Sequence, residues 1–107
     1  MSNTNAPTAI IVGSGPGGLA SALLLAHSGV NVTVLEKAEA VGGRTRLFKK
    51  DGYTFDRGPT FFHYHEVIEE IFKAIGRDAH KELGLMRLDP MYRLVFGAGG
   101  HIDATSN

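Results

Sequence analysis

The sequence predicts an α/β fold that opens with a parallel strand–helix–strand (βαβ) unit. Three observations predict this fold: two short β-branched runs, a largely apolar helical pattern between them, and a cluster of glycines where the first run ends. The chain has 107 residues, of which 43% are hydrophobic and 21% charged, so it is a globular chain with room for one modest domain. Its 14 glycines are about twice the usual share.

Charge and composition exclude several classes of function. Eleven basic residues balance eleven acidic ones, so there is no basic field for a nucleic-acid backbone and we expect no nucleic-acid partner. The chain has no Cys, which rules out disulfides, thiolate metal sites and a thiol nucleophile. Residues 1–8 lack the features of a secretory signal, so we expect a disordered tail there and a cytoplasmic protein. The longest apolar run, Leu19–Ala26, is too short to span a bilayer.

The first 28 or so residues after the tail form the βαβ pattern. Ala9–Val12 is wholly apolar and β-branched, as in a central parallel strand. Pro16 to about Ser28 carries apolar residues at helical spacing, with Pro16 in the first turn and Gly29 past the last. Val32–Leu35 is a second β-branched strand and ends at Glu36.

A hairpin and two further elements are predicted after the βαβ unit. Asp51–Gly52 lies between two alternating runs, Thr45–Lys50 and Tyr53–Asp56, which indicates a tight β-hairpin. The neighbouring Asp56 and Arg57 are expected to form a local ion pair. Downstream, the pattern predicts an amphipathic helix over Glu66–Ile75, a short turn over Asp78–Leu83, a strand over Met91–Phe96 and the start of a return strand over His101–Ala104.

The glycine cluster fits the pattern G-x-G-x-x-G. Gly13 allows a sharp strand-to-helix turn, Gly15 lets the backbone approach a diphosphate, and Gly18 lets the helix pack closely on the strand. A diphosphate binds at such a helix N-terminus because the N–H donors are free and the helix dipole favours negative charge. The pattern is weak alone, but here a strand, a helix and a second strand surround it. The predicted loop comprises Gly13, Ser14, Gly15, Pro16, Gly17 and Gly18.

Two further features extend this predicted site. Glu36 follows Gly18 at the end of the second strand, where its carboxylate is placed to accept hydrogen bonds from adenosine ribose hydroxyls and to repel a 2′-phosphate. The neighbouring Lys37 is included among the predicted cofactor-binding residues. Gly42-Gly43-Arg44 follows, where paired glycines bring the backbone against a ligand and an arginine can engage phosphate oxygens or a flavin carbonyl.

These motifs together resemble the start of the FAD-dependent amine oxidase and phytoene desaturase superfamily. The stretch Gly52–Thr60, with Phe55-Asp56-x-Gly58-Pro59-Thr60 at its end, is similar to the phytoene (carotenoid) desaturase branch. Met91–Leu94 is loosely similar to the segment that opens the substrate region in that branch. The resemblance implies a Rossmann-like FAD-binding segment over residues 9–60 and an incomplete start of a substrate-binding region over 61–107.

The resemblance also implies what the longer protein does. FAD is held by the loop, Glu36 and Gly42–Arg44, with Gly58, Pro59 and Thr60 approaching the isoalloxazine ring. The reaction removes two hydrogens from a carbon–carbon single bond of a carotenoid or related isoprenoid, and peripheral contact with the inner membrane face is implied. Such proteins are completed by a C-terminal portion, so we expect this chain to be an N-terminal fragment with an uncovered apolar sheet face, marginal stability and little or no FAD binding by itself.

Other interpretations remain open at this point. A position of Asp56 and Arg57 near the flavin is the alternative to their expected ion pair. An amine oxidase or protoporphyrinogen oxidase from the same superfamily is disfavoured by the Phe55–Thr60 stretch. A non-catalytic dinucleotide-binding module is the alternative from a different class. No metal site is predicted, because His63-Tyr64-His65 lacks a third ligand at helical spacing.

Overall fold

The βαβ unit is present with the predicted order. A computed structural model of the chain describes residues 5–58 and 62–105. Strand β1 (Thr8–Val12) and strand β2 (Asn31–Leu35) pair in parallel, and helix α1 (Pro16–His27) connects them. Strand β1 begins one residue before the predicted start, so Thr8 belongs to the sheet and not to the tail predicted over residues 1–8.

Helix α1 covers one face of the two-stranded sheet. Ile11 faces the helix, since its Cγ2 lies 3.4 Å from where a Cβ at Gly18 would stand. Alternate residues point to the opposite face, where Ile10 is 69% and Val12 84% exposed. The second face of a parallel strand is ordinarily covered as well. This part of the chain therefore presents an apolar sheet face without a covering layer, as the sequence predicts.

The predicted hairpin is confirmed with one difference. Strands β3 (Leu47–Lys50) and β4 (Tyr53–Asp56) pair antiparallel around Asp51-Gly52, both of which have positive φ as a type I′ turn requires. The prediction that the first strand begins at Thr45 is wrong. Residues Gly43–Thr45 form a short 3₁₀ helix, because Gly42 is left-handed (φ 108°) and its carbonyl accepts hydrogen bonds from both the backbone N and the Oγ1 of Thr45.

The second half of the chain has two helices and a hairpin. They are α2 (His65–Ala74), α3 (Ala79–Leu83), β5 (Tyr92–Val95) and β6 (His101–Ala104), the last two being antiparallel. Asp78 caps α3 by accepting a hydrogen bond from the backbone N of Lys81 at 3.3 Å. A carboxylate oxygen of Glu69 contacts ring nitrogens of His65 at 2.8 Å and His80 at 2.9 Å, which ties α2 to α3.

The described residues form separate small layers instead of a closed core. Their three sheets have two strands each, and Ala79 is the one apolar side chain among them that is buried. The radius of gyration is 18.6 Å, whereas a compact domain of this length has about 13 Å. Much apolar surface is left available for contact with further protein. Within residues 5–58 and 62–105, no helix has the length and apolar character that a membrane span requires.

Close packing at Gly18 generates a prediction with a matched control. A Cβ at Gly18 would lie 2.2 Å from the carbonyl oxygen of Gly13, whereas a Cβ at Gly17 meets nothing within 4 Å. We expect Gly18→Ala to lower the free energy of unfolding by about 2 kcal/mol or more, because the helix must move off the strand. Gly17→Ala should raise it, by at most about 1 kcal/mol. Urea unfolding followed by circular dichroism measures both, and equal stability of the two variants would contradict the packing argument.

Candidate functional site

The glycine loop joins β1 directly to α1. The backbone N of Gly13 donates to the carbonyl of Leu35 at 2.7 Å, so the turn is tied to the end of β2. At the far end of the loop, the missing side chain of Gly18 lets α1 approach β1. Both roles match the predictions for these two glycines.

The N-terminus of α1 is open. Gly15 is the N-cap residue and no side chain caps the helix, with Pro16 in its first turn. A Cβ at Gly15 or Gly17 would meet nothing within 4 Å. The first N–H groups of a helix have no intrahelical acceptor, so these donors face open space. The arrangement fits a diphosphate or another anion.

A second loop packs against the first. The backbone N of Gly42 donates to the carbonyl of Ser14 at 2.8 Å. A Cβ at Gly43 would lie 3.0 Å from the Cα of Gly15, so the two backbones approach as closely as glycine permits. The two glycine motifs, separate in the sequence, therefore form one structure.

A cleft of about 710 Å³ opens where the loops meet. Six residues predicted from sequence line it, namely Gly15, Pro16, Gly17, Gly43, Arg44 and Gly58. Gly58 joins the wall because it packs on Arg44: a Cβ there would be 2.4 Å from the Arg44 carbonyl oxygen. The predicted neighbours Pro59 and Thr60 lie outside the described residues.

Thr45 and Arg57 also line the cleft. Thr45 is not among the residues predicted from the sequence, whereas a position of Arg57 near the cofactor is the less favoured of the two alternatives that the sequence offers. The expectation that Arg57 pairs with Asp56 is wrong, since no ion pair joins them. Instead the Arg57 guanidinium carbon lies 5.8 Å from the centroid of the Phe48 ring, a cation–π distance. The position of Arg57 beside the Gly58 motif is the sequence signal for its place in the cleft.

Glu36 is tied to the glycine loop by hydrogen bonds. Its Oε2 accepts from the backbone N of Ser14 at 2.8 Å and from the Ser14 Oγ at 2.7 Å. Its Oε1 accepts from the backbone N of Ala38 at 2.9 Å. Donors around a carboxylate stabilise its charged form, and the Ser14 hydroxyl, then the Ser14 amide, lower the pKa of Glu36 to about 2. Glu36 therefore presents a fixed negative charge behind the loop.

The remaining predicted residues do not line the cleft wall. Gly13, Gly18 and Gly42 have the backbone roles given above, and Ser14 is 1% exposed and holds Glu36. Lys37 is exposed on the bend after β2, so the cleft does not explain its inclusion. The predicted contact between Glu36 and ribose hydroxyls stays a prediction.

Comparison with known sequences gives a family and several relatives. Residues 11–75 match the family described as the NAD(P)-binding Rossmann-like domain. A ζ-carotene-forming phytoene desaturase of Myxococcus xanthus is 45% identical over 97 residues, covering 91% of this chain and 19% of the relative. A carotenoid 3,4-desaturase of Haloarcula japonica is 39% identical over 107 residues, covering 100% of this chain and 22% of the relative. The chain thus spans about a fifth of the length of these relatives.

Solved structures give the same fold. Wild-type putrescine oxidase bound to putrescine matches with a TM-score of 0.55 and 29% identity, covering 94% of this chain and 22% of that one. A fatty acid isomerase from P. acnes that produces CLA matches with a TM-score of 0.51 and 28% identity, covering 72% of this chain and 18% of that one. The chain has a Rossmann-like α/β fold.

The hydrogen bonds of Glu36 predict a pH dependence of stability. Because folding lowers its pKa from 4.5 to about 2, the group stabilises the fold above about pH 4.5 and loses this effect as the pH falls towards 2. We expect the free energy of unfolding to fall across that window, and less steeply in Glu36→Gln. The exposed neighbour variant Glu39→Gln should retain the wild-type slope. Glu69 and Asp103, whose pKa values are also lowered, contribute the same pH dependence to all three proteins. Parallel curves of unfolding free energy against pH for wild type and Glu36→Gln would therefore contradict this prediction.

Proposed function

The chain belongs to the NAD(P)-binding Rossmann-like domain family, and from this premise we propose that it is the FAD-binding part of a carotenoid-dehydrogenating oxidoreductase. Residues 9–60 are proposed as the FAD-binding segment and residues 61–107 as the start of a substrate-binding region. We propose that the remainder of such a protein completes both regions. This remainder is about four fifths of the length of the carotenoid desaturases that the chain matches.

One observation carries the proposal: the uncapped N-terminus of α1, the Gly42–Arg44 loop and Gly58 converge on one open cleft. A diphosphate suits this cleft because it accepts hydrogen bonds from helix N–H groups and from an arginine fork. The open Cβ positions of Gly15 and Gly17 leave room for the ligand against the backbone. The residues present therefore fit the ADP half of FAD.

Individual residues have distinct proposed roles. Gly15 and Gly17 expose amide donors to the diphosphate, and Arg44 neutralises its charge. Glu36, held charged by Ser14, is proposed to accept hydrogen bonds from the adenosine ribose. A fixed carboxylate repels a 2′-phosphate, which supports FAD over NADP at this site. Gly58, with Pro59 and Thr60, is proposed to lie towards the isoalloxazine ring.

The substrate class comes from the relatives. Those from Myxococcus xanthus and Haloarcula japonica are both desaturases of carotenoids, so we propose a carotenoid or related isoprenoid substrate that loses two hydrogens from a carbon–carbon single bond. When bound, the flavin supplies the hydride acceptor. The protein's proposed part is to orient the ring and exclude water. Peripheral contact with the membrane that dissolves such a substrate is part of the proposal.

A second candidate function is oxidation of an amine. It is favoured by the likeness to putrescine oxidase, which covers 94% of this chain. The two candidates share a cofactor site and differ in substrate, so only substrate turnover separates them. A third possibility, a dinucleotide-binding module without catalysis, predicts cofactor binding with neither activity.

Cofactor binding is tested by filling the cleft without disturbing the fold. Gly15 has an extended backbone and an open Cβ position, so Gly15→Val should fold normally. Its side chain would occupy the space in front of the N-terminus of α1, here called the mouth of α1. In the longest reading frame that contains this chain, we expect Gly15→Val to lose at least about tenfold in bound FAD. Flavin absorbance after purification measures the loss, and circular dichroism checks the fold.

Gly97→Val is the matched control, because Gly97 also has an open Cβ position and does not line the cleft. It should retain wild-type FAD content. Equal flavin content in both variants would contradict the proposed site. Pigment analysis of phytoene-supplied cells expressing the same frame tests the substrate: desaturated carotenoids support the main proposal, whereas turnover of putrescine alone would replace it with amine oxidation.

A further inference from the structure

A second hollow of about 290 Å³ adjoins the cleft and is lined mainly by arginines. Its walls are Gly43, Arg44, Arg46 and Arg57. Arg44 and Arg57 also line the main cleft, so the two spaces share a wall of two guanidinium-bearing side chains. Only Arg44 belongs to the motif that predicts a site, whereas Arg46 and Arg57 are brought there by the fold.

The charges in this hollow are not balanced by the protein. Its lining contains no carboxylate. Elsewhere in the described residues, Arg77 pairs with Glu82, and Arg93 donates two hydrogen bonds to Asp103 at 2.6 and 2.8 Å. No carboxylate within residues 5–58 and 62–105 pairs with any of the three arginines of the hollow. Three like charges around one small space repel one another, and an anion placed there would offset that repulsion.

Two of the three arginines are positioned by specific local structure. Arg57 lies over the Phe48 ring at 5.8 Å, a contact that limits the rotamers of its long side chain. Arg46 follows the short 3₁₀ helix directly, and its backbone N donates to the Gly43 carbonyl. The Arg57 side chain and the Arg46 backbone are therefore held next to the loop that contacts Gly15. Guanidinium groups bind phosphate oxygens in a bidentate manner, so the arginines of this hollow suit a ligand that carries phosphate.

We propose that Arg46 and Arg57 form, with Arg44, a three-arginine wall that binds the diphosphate of the dinucleotide at the mouth of α1. This inference rests on the proposed function for the identity of the ligand, and it names two residues that the motifs do not. The amide donors of Gly15 and Gly17 line the main cleft together with Arg44 and Arg57. Arg46 lines the adjoining hollow, which shares Arg44 and Arg57 with the cleft, so a diphosphate that spans the shared wall can be contacted by the amides and by all three arginines. The wall sets a preference for ligands with a diphosphate over ligands without one.

The test compares arginine variants in the longest reading frame that contains this chain, with the flavin removed. Binding of FAD, inorganic pyrophosphate and riboflavin is measured by titration calorimetry. Arg57→Ala and Arg46→Ala are each expected to weaken FAD and pyrophosphate binding about tenfold and to leave riboflavin binding unchanged. Arg57→Lys, which keeps the charge but loses the fork, should give an intermediate loss. Arg87→Ala removes an exposed arginine outside the cleft and should have no effect.

The outcomes separate this inference from the proposed function. If pyrophosphate binds the wild type and is weakened by Arg57→Ala but FAD does not bind, the arginine wall stands and the flavin proposal fails. If FAD and pyrophosphate bind Arg57→Ala and Arg46→Ala as tightly as wild type, the proposal that these arginines bind the diphosphate is wrong, regardless of which cofactor the protein uses. Equal losses of riboflavin and FAD would also overturn it. Should Arg57→Ala fail to fold, shifts of the arginine side-chain N–H resonances of the wild type on adding pyrophosphate decide the question, and unshifted signals refute the wall.

Discussion

The contact between the two glycine loops is the constraint on which the site depends. The Gly42 amide donates to the Ser14 carbonyl at 2.8 Å, and Gly43 approaches the Cα of Gly15 so closely that a Cβ would be 3.0 Å away. This backbone contact carries Arg44 to the mouth of α1, and Gly58 in turn packs on the Arg44 carbonyl. Without it, the cleft would lose the wall opposite its amide donors.

Ser14 links this contact to the second strand. Its carbonyl accepts from the Gly42 loop while its amide and hydroxyl donate to Glu36. A buried residue between two loops and a strand end thus uses all of its polar groups within the protein. The hydrogen bonds that fix the position of the Glu36 carboxylate also lower its pKa and keep it ionised. The same contacts therefore determine the geometry and the charge of this part of the site.

The parts of the fold that depend on local patterns could be predicted from sequence. The βαβ unit, the Asp51-Gly52 hairpin and the Asp78 cap follow from β-branched runs, turn residues and capping chemistry, and all are present. Alternation of residues predicts that the strand begins at Thr45, but the left-handed Gly42 starts a 3₁₀ helix there instead. The adjacent Asp56 favours an ion pair with Arg57, but the partner of Arg57 is the Phe48 ring on the neighbouring strand, a cross-strand contact that the local sequence does not indicate.

The strands that present the exposed apolar face of the β1–β2 sheet also carry the two glycine loops of the cleft. A parallel sheet is ordinarily covered on both faces, yet Ile10 and Val12 are largely exposed on the side away from α1. The loops that form the cleft extend from the carboxyl ends of these same strands, where α/β sheets bind ligands. Protein that covers this face would stiffen the strands and, through Gly13 and Glu36, the loops they carry. We therefore expect the affinity for the proposed cofactor to depend on whether this face is covered, because the strands that would be covered carry both glycine loops of the proposed site.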